Sequence, residues 1–156
     1  MTTLTLSDLT ARTGLDVLDH LERDVTIPVT GGLQAQGDLL VIPLAMLGKA
    51  VSIDSWASWL EVPADGVEVL RGAAGGNPHT LVAEPGACEW TTNLADTTRL
   101  AIGAFRTTAP AYLLHPEHGG SGIAPGTYVI RRQRERGMAP TPFSGVRTGG
   151  VRFIAD

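Results

Sequence analysis

A chain of 156 residues with 12 basic and 16 acidic side chains and a net charge of -4 is the size of one domain, long enough to bury a sizeable core without a disulfide or a structural metal. Its single cysteine, Cys88, excludes an internal disulfide framework, and Lys49, the one lysine beside eleven arginines, argues against Schiff-base chemistry. The sequence has no basic leader followed by an apolar core and no run near the ~18 apolar residues of a membrane span, so a cytoplasmic or virion-associated protein is expected, without a signal peptide or a membrane partner.

From Leu6 to Asp24 the pattern predicts a pair of short helical turns. Ser7 is placed as N-cap, Leu9 opens the apolar face, Gly14 breaks it, and Asp16 restarts it through Val17, Leu18 and Leu21. The outline resembles half of a helix-turn-helix, yet Asp16, Asp19, Glu22 and Asp24 would repel DNA phosphate. Residues 1–24 are therefore expected to form a helical arm packed on the body or on a partner, with His20 solvated on its polar side.

After Pro28 the texture changes to short apolar runs between Gly, Pro, Asn and Asp. Strands are expected at 25–29, 38–42, 67–70, 79–83, 100–105, 111–114, 127–134 and 151–154. Gly31-Gly32, Pro63-Ala64-Asp65-Gly66, Gly75-Gly76-Asn77-Pro78, Glu84-Pro85-Gly86 and Pro125-Gly126 supply turns between them. Short strands at this spacing predict a mainly β domain over residues 25–156, a compact barrel or sandwich and not a βαβ sheet. The segment 53–60 is the exception, because Trp56 and Trp59 at helical spacing predict a helical turn that lays both indoles on the core. Residues 137–150, rich in Gly, Pro, Thr and Ser, read as a loop that returns the last strand to the sheet.

The groups that carry chemistry concentrate at His115-Pro116-Glu117-His118. A strand puts residues three apart on opposite faces, so His115 and His118 converge only if Pro116 bends the chain into a turn. A β fold could bring His79 to the same place. Three neutral imidazoles with an open fourth position suit zinc or iron, with Glu117 or Glu84 as carboxylate ligand or base. The competing reading is a polar loop whose histidines hydrogen-bond to backbone and fix the turn. Ser121, in Gly119-Gly120-Ser121-Gly122, lacks the strand-to-helix elbow of a hydrolase nucleophile and reads as part of a flexible glycine loop. Cys88 is a poor nucleophile because the neighbouring Glu89 carboxylate would raise its thiol pKa. Gly72-Ala73-Ala74-Gly75-Gly76 lacks the Lys-Ser/Thr ending of a phosphate loop and reads as a turn.

Toward the end of the chain the charge reverses. Residues 1–130 carry six basic against fourteen acidic side chains, and residues 131–156 carry six arginines against two acids. Arg131, Arg132 and Arg134 lie along an expected strand and are the candidate binding residues for phosphate. Beside an acidic body they more simply form ion pairs within or between subunits, which argues against a nucleic-acid partner.

Several blocks stand in order along the chain: Gln36-Gly37-Asp38-Leu39-Leu40-Val41-Ile42-Pro43, Gly76-Asn77-Pro78-His79, His115-Pro116-Glu117-His118, Pro125-Gly126-Thr127-Tyr128 and Arg132-Gln133-Arg134-Glu135. With these the chain resembles a poorly characterised family of small bacterial and phage proteins, over about 100 residues. The resemblance implies a small β-rich fold and a joint site of His79, His115 and His118. Such relatives often carry a further histidine two residues before the one matching His79, where this chain has Asn77. A four-imidazole site is thus incomplete here, which fits a version of the fold kept for structure or assembly.

Three functions follow as expectations. The first is a non-enzymatic structural or interaction module with no cofactor, a homo-oligomer or part of a larger, phage-like assembly. The second is a small hydrolase or oxygenase with zinc or iron on His79, His115 and His118. The third is phosphate or nucleic-acid binding through Arg131, Arg132 and Arg134.

Overall fold

The N-terminal helix α1 spans Leu6–Thr13 in the computed structural model, which describes residues 4–18, 21–71, 77–136 and 151–153, with side chains for all of these but 71, 134–136 and 151–153. Thr5, not Ser7, caps it. The Thr5 hydroxyl accepts from the Asp8 amide at 3.1 Å and the Asp8 carboxylate accepts from the Thr5 amide at 2.8 Å, a reciprocal cap. The Thr5 amide and hydroxyl hold the Asp8 carboxyl below its ordinary pKa. Gly14, at φ 74°, ends the helix with its amide on the Thr10 carbonyl.

The second turn expected from Asp16 does not form over residues 15–18. The Val17 and Leu18 carbonyls accept from the Arg23 guanidinium at 2.8 and 3.2 Å, and the Leu18 amide donates to the Pro116 carbonyl at 2.9 Å. This arrangement ties the segment to the body instead of to a helix. Asp19 and His20 lie outside the described residues.

Short strands follow. The first is β1 at Val29–Thr30, then β2 at Gln34–Gln36 and β3 at Leu39–Pro43, and two short 3-10 turns lead to β4 at Val51–Ile53 and β5 at Leu60–Glu61. Next come β6 at Val67–Arg71, β7 at Pro78–Ala83, β8 at Cys88–Thr91, β9 at Leu94–Asp96 and β10 at Ala101–Thr107. The last are β11 at Ala111–His115, β12 at Gly119–Ile123, β13 at Gly126–Arg132, β14 at Arg134–Arg136 and β15 at Val151–Phe153.

Among the described residues the strands form a five-stranded sheet of order β1-β12-β11-β7-β6, a six-stranded sheet of order β2-β3-β13-β10-β8-β5, and the two-stranded pairs β4-β9 and β14-β15. Neither large sheet closes on itself. The fold is mainly β, and of the two forms expected the sandwich fits.

Strand alternation sorts the side chains into layers. Leu81 and Ala83 of β7 with Ala111 and Leu113 of β11 face Leu39, Val41, Phe105, Tyr128 and Ile130 of the six-stranded sheet, and together they form the main core. On the opposite face of the five-stranded sheet, Val82, Tyr112 and Leu114 are buried under Leu4, Leu6, Leu9, Val17 and Ile27, so the arm that covers this face reaches past residue 24 to β1 and comprises residues 4–30. On the outer face of the six-stranded sheet, Ala104 and Val129 lie under Val51, with Leu44, Leu47 and Leu94 packed around them.

Two further expectations are corrected. Residues 53–60 are not helical: the chain passes from β4 to β5 through a turn, Trp56 is 71% exposed, and Trp59 lies half-buried under the Arg106 guanidinium, 3.9 Å from the ring centroid. Cation–π contact with an arginine that also pairs with Glu89 gives Trp59 a partner outside the core. The glycine run around Ser121 is strand β12, paired with β1 on one side and β11 on the other. Residues 137–150 lie outside the described residues.

Candidate functional site: a row of three imidazoles

The β7–β11 register pairs Ala111 with Ala83 and Leu113 with Leu81. The same inward-facing positions, continued toward the start of β7 and the end of β11, hold His79 and His115, and their ring centroids lie 4.3 Å apart. Both rings are fully buried. Past β11 the chain turns at Pro116, and the amides of Glu117 and His118 donate back to His115 Nδ1 at 3.0 and 3.3 Å. That bend brings the His118 ring to 4.5 Å from His115. The three histidines singled out in the sequence thus meet in a row that runs from the sandwich interior to exposed His118.

Gln36 and Asp38 decide the state of the inner end. The Gln36 amide nitrogen donates to the Leu113 carbonyl at 2.8 Å, the Ser121 hydroxyl at 3.1 Å and the Gly119 carbonyl at 3.3 Å. Reversing the amide would set its oxygen against two carbonyls, so Oε1 faces His79 Nδ1 at 3.0 Å and that nitrogen is the donor. His79 Nε2 lies 2.8 Å from Asp38 Oδ1. Two lone pairs cannot face each other at that distance, so one proton lies between them. The pair is either imidazolium with carboxylate or imidazole with carboxylic acid, neutral overall in both forms, which is how a buried ionisable pair avoids a net charge. At His115 the two amides make Nδ1 an acceptor, so a neutral ring carries its proton on Nε2.

As a metal site this arrangement does not fit as it stands. Both nitrogens of His79 are engaged within the protein and Nδ1 of His115 holds the turn. Among the described residues no group of three or more His, Cys, Asp or Glu is placed to hold a metal ion. The two carboxylates considered for the site are also committed. Exposed Glu117 accepts from the Asn77 side-chain amide at 2.9 Å, and Glu84, at the far end of β7, pairs with Arg12 at 3.2 Å. Asn77 therefore fastens the turn that holds His118.

The arginines do not form one basic surface. Arg131 is gripped by Asp96, Nε to Oδ2 at 3.0 Å and Nη2 to Oδ1 at 2.9 Å, and is largely buried. Burial pushes the Asp96 carboxyl up, but the amide and hydroxyl of Thr98 and the Arg131 guanidinium together outweigh it and hold it below the ordinary carboxylate value. Arg132, on the opposite face of β13, is exposed. The side chain of Arg134, in β14, lies outside the described residues. Cys88 is buried, which above all pushes its thiol up to about 12, with Glu89 adding in the same direction. It is no nucleophile at neutral pH.

From the sequence alone Gln36 and Asp38 belong to a motif block and have no role in the site. The available signal was two polar residues flanking Gly37 immediately before an apolar strand. Gly37 turns at φ 56° and returns Asp38 to the ring that Gln36 already touches.

The chain belongs to a family defined by a domain of unknown function, DUF8820, whose model matches residues 35–133. The matched span holds Gln36, Asp38 and all three histidines of the row and leaves the arm outside. Neither a curated protein nor a solved structure matches the chain.

Proposed function

We propose that this member of the family is a non-enzymatic structural or interaction module that assembles with copies of itself or within a larger complex, of the kind carried by phages and prophage-like elements. The observation that carries the reading is the engagement of both His79 ring nitrogens by Gln36 and Asp38. Through these bonds His79 joins the two sheets. The acidic body and basic end of the chain supply opposite charges for contact between subunits, and the resemblance of its motif blocks to those of small bacterial and phage proteins supports the setting. Size-exclusion chromatography with light scattering and elemental analysis tests it. The expected result is a metal-free oligomer that loosens as salt rises; a monomer at every concentration overturns it.

One observation favours a second reading, a hydrolase or oxygenase using zinc or iron: three imidazoles do meet, and the last reaches the surface beside Glu117. It requires His79 to release Gln36 or Asp38. One metal per chain, lost in His115→Ala, would establish it over the first.

A further inference from the structure

The outer face of the five-stranded sheet belongs to the family's domain, but its cover does not. Val82, Tyr112 and Leu114 lie within the matched span, whereas Leu4, Leu6, Leu9, Val17 and Ile27, which bury them, all precede it. The bed is shaped for this cover. A Cβ on Gly120 would come within 2.7 Å of the Ile27 side chain and 3.0 Å of Leu9, and one on Gly122 within 2.4 Å of the Pro28 carbonyl. Any other residue at Gly122 would push the backbone of Pro28 and Val29 from the sheet, and one at Gly120 would displace the ends of the Ile27 and Leu9 side chains.

Polar contacts set the register of arm on bed. The Leu4 amide donates to the buried Tyr112 hydroxyl at 3.1 Å, the Arg12 guanidinium meets Glu84 at 3.2 Å, and β1 pairs in parallel with β12, Val29 opposite Gly122 and Thr30 opposite Ile123.

Between arm and domain lie Gly31, Gly32 and Leu33, all exposed, and a Cβ on Gly32 would have nothing within 4 Å. This link carries the chain from β1 in one sheet to β2 in the other. The contacts between arm and bed form equally well whichever copy of the chain supplies the arm, because the link itself makes so few of them. This is the condition under which an element is exchanged between identical subunits.

We infer that the outer face of this sheet is an interface between copies of this chain: the arm of one copy seats on the bed of a second, and the second copy's arm seats on the first. The inference rests on the self-assembling reading above and adds the segment that makes the contact. A short link holds an arm near its own bed at an effective concentration on the order of 1 mM, so exchange is favoured where copies are crowded.

The test uses the full chain with Arg12→Lys, made in light and heavy nitrogen isotopes, mixed at roughly 1 mM and fractionated by size. A carbodiimide then joins the amine introduced by that substitution to the Glu84 carboxylate without a spacer, and mass spectrometry reads whether each joined peptide pair is of one isotope or two. A dimer in which about half of the 12–84 links are of mixed isotope is the expected result, since random pairing of equal pools gives that share. A dimer with links of a single isotope overturns the exchange while leaving self-assembly intact. A monomer throughout overturns both. As a second measurement, removal of Gly31 and Gly32 shortens the link and should lower about tenfold the concentration at which half of the chains are dimeric; a chain that stays a folded monomer overturns the inference.

Discussion

Removing the Gln36 side chain is the sharpest probe of the buried network, because Gln36 joins β2 of one sheet to β11 and β12 of the other. Gln36→Ala leaves the His79 Nδ1–H buried without its acceptor, a penalty of about 1–3 kcal/mol. It also removes hydrogen bonds to the Leu113 carbonyl and the Ser121 hydroxyl, worth about 1 kcal/mol each. The loss should total about 3–5 kcal/mol, and in a chain of this length each kcal/mol moves the midpoint by about 2–4 °C, so Tm should fall by about 10 °C. Gln36→Glu keeps an acceptor for His79 but sets an oxygen against the Leu113 and Gly119 carbonyls, and should lose at least as much. Exposed His118 is the control, with His118→Ala within about 0.5 kcal/mol of the parent. Urea unfolding followed by circular dichroism supplies the midpoint and slope. A Gln36→Ala chain within about 0.5 kcal/mol of the parent at unchanged slope would refute the claim that this network holds the sheets together.

Acid should act partly through Asp96. Its folded pKa is depressed below the ordinary carboxylate value, so its contribution is present above that value and is lost as pH falls through the folded one. Stability of the parent should therefore drop more steeply below about pH 4 than that of Asp96→Asn, which is weaker at neutral pH; parallel curves in acid unfolding would count against the Arg131 pairing. The two tryptophans at opposite extremes of exposure should part company. Trp90, 7% exposed and packed over Gly103, should cost about 3–5 kcal/mol as Trp90→Ala, and Trp56→Ala should stay within about 0.5 kcal/mol, both read from urea midpoints.

What the sequence made legible divides by the range of the interaction. Strands with a strong apolar pattern, such as Leu39–Pro43, Pro78–Ala83, Ala101–Thr107 and Ala111–His115, were visible because burial writes itself into alternation. Strands such as Gln34–Gln36, Leu94–Asp96 and Gly119–Ile123 were not, since their pattern is set by what the neighbouring chain needs. Gly120 and Gly122 have no side chains because the arm lies on them, and from sequence alone that reads as a loop. The helix cap went to Thr5 because Asp8 can return its hydrogen bond, whereas Ser7 has no such partner three residues on. The tryptophan spacing misled because period 3 also occurs in a turn, and Arg106, 47 residues away, decided where Trp59 lies. The three histidines were found by chemistry and by resemblance. The meeting of His79 and His115 needed the β7–β11 register, which no local pattern contains.

That register links the buried row to the arm. On β11 the residues facing the core, Ala111, Leu113 and His115, alternate with Tyr112 and Leu114, which carry the arm. A slip of one residue would exchange the two sets. Apolar contacts alone discriminate poorly against such a slip, because Leu, Ala and Tyr pack acceptably in several arrangements. The polar network does discriminate: His79 finds both Gln36 and Asp38 in one register, and in any other it would be left buried and unsatisfied. The Gln36–Asp38–His79 triad, inside the family's domain, thus fixes which side chains of β7 face inward, and the Gln36 bond to the Leu113 carbonyl carries the same choice to β11. The bed on which the arm lies is set in register by hydrogen bonds on the other side of the same sheet.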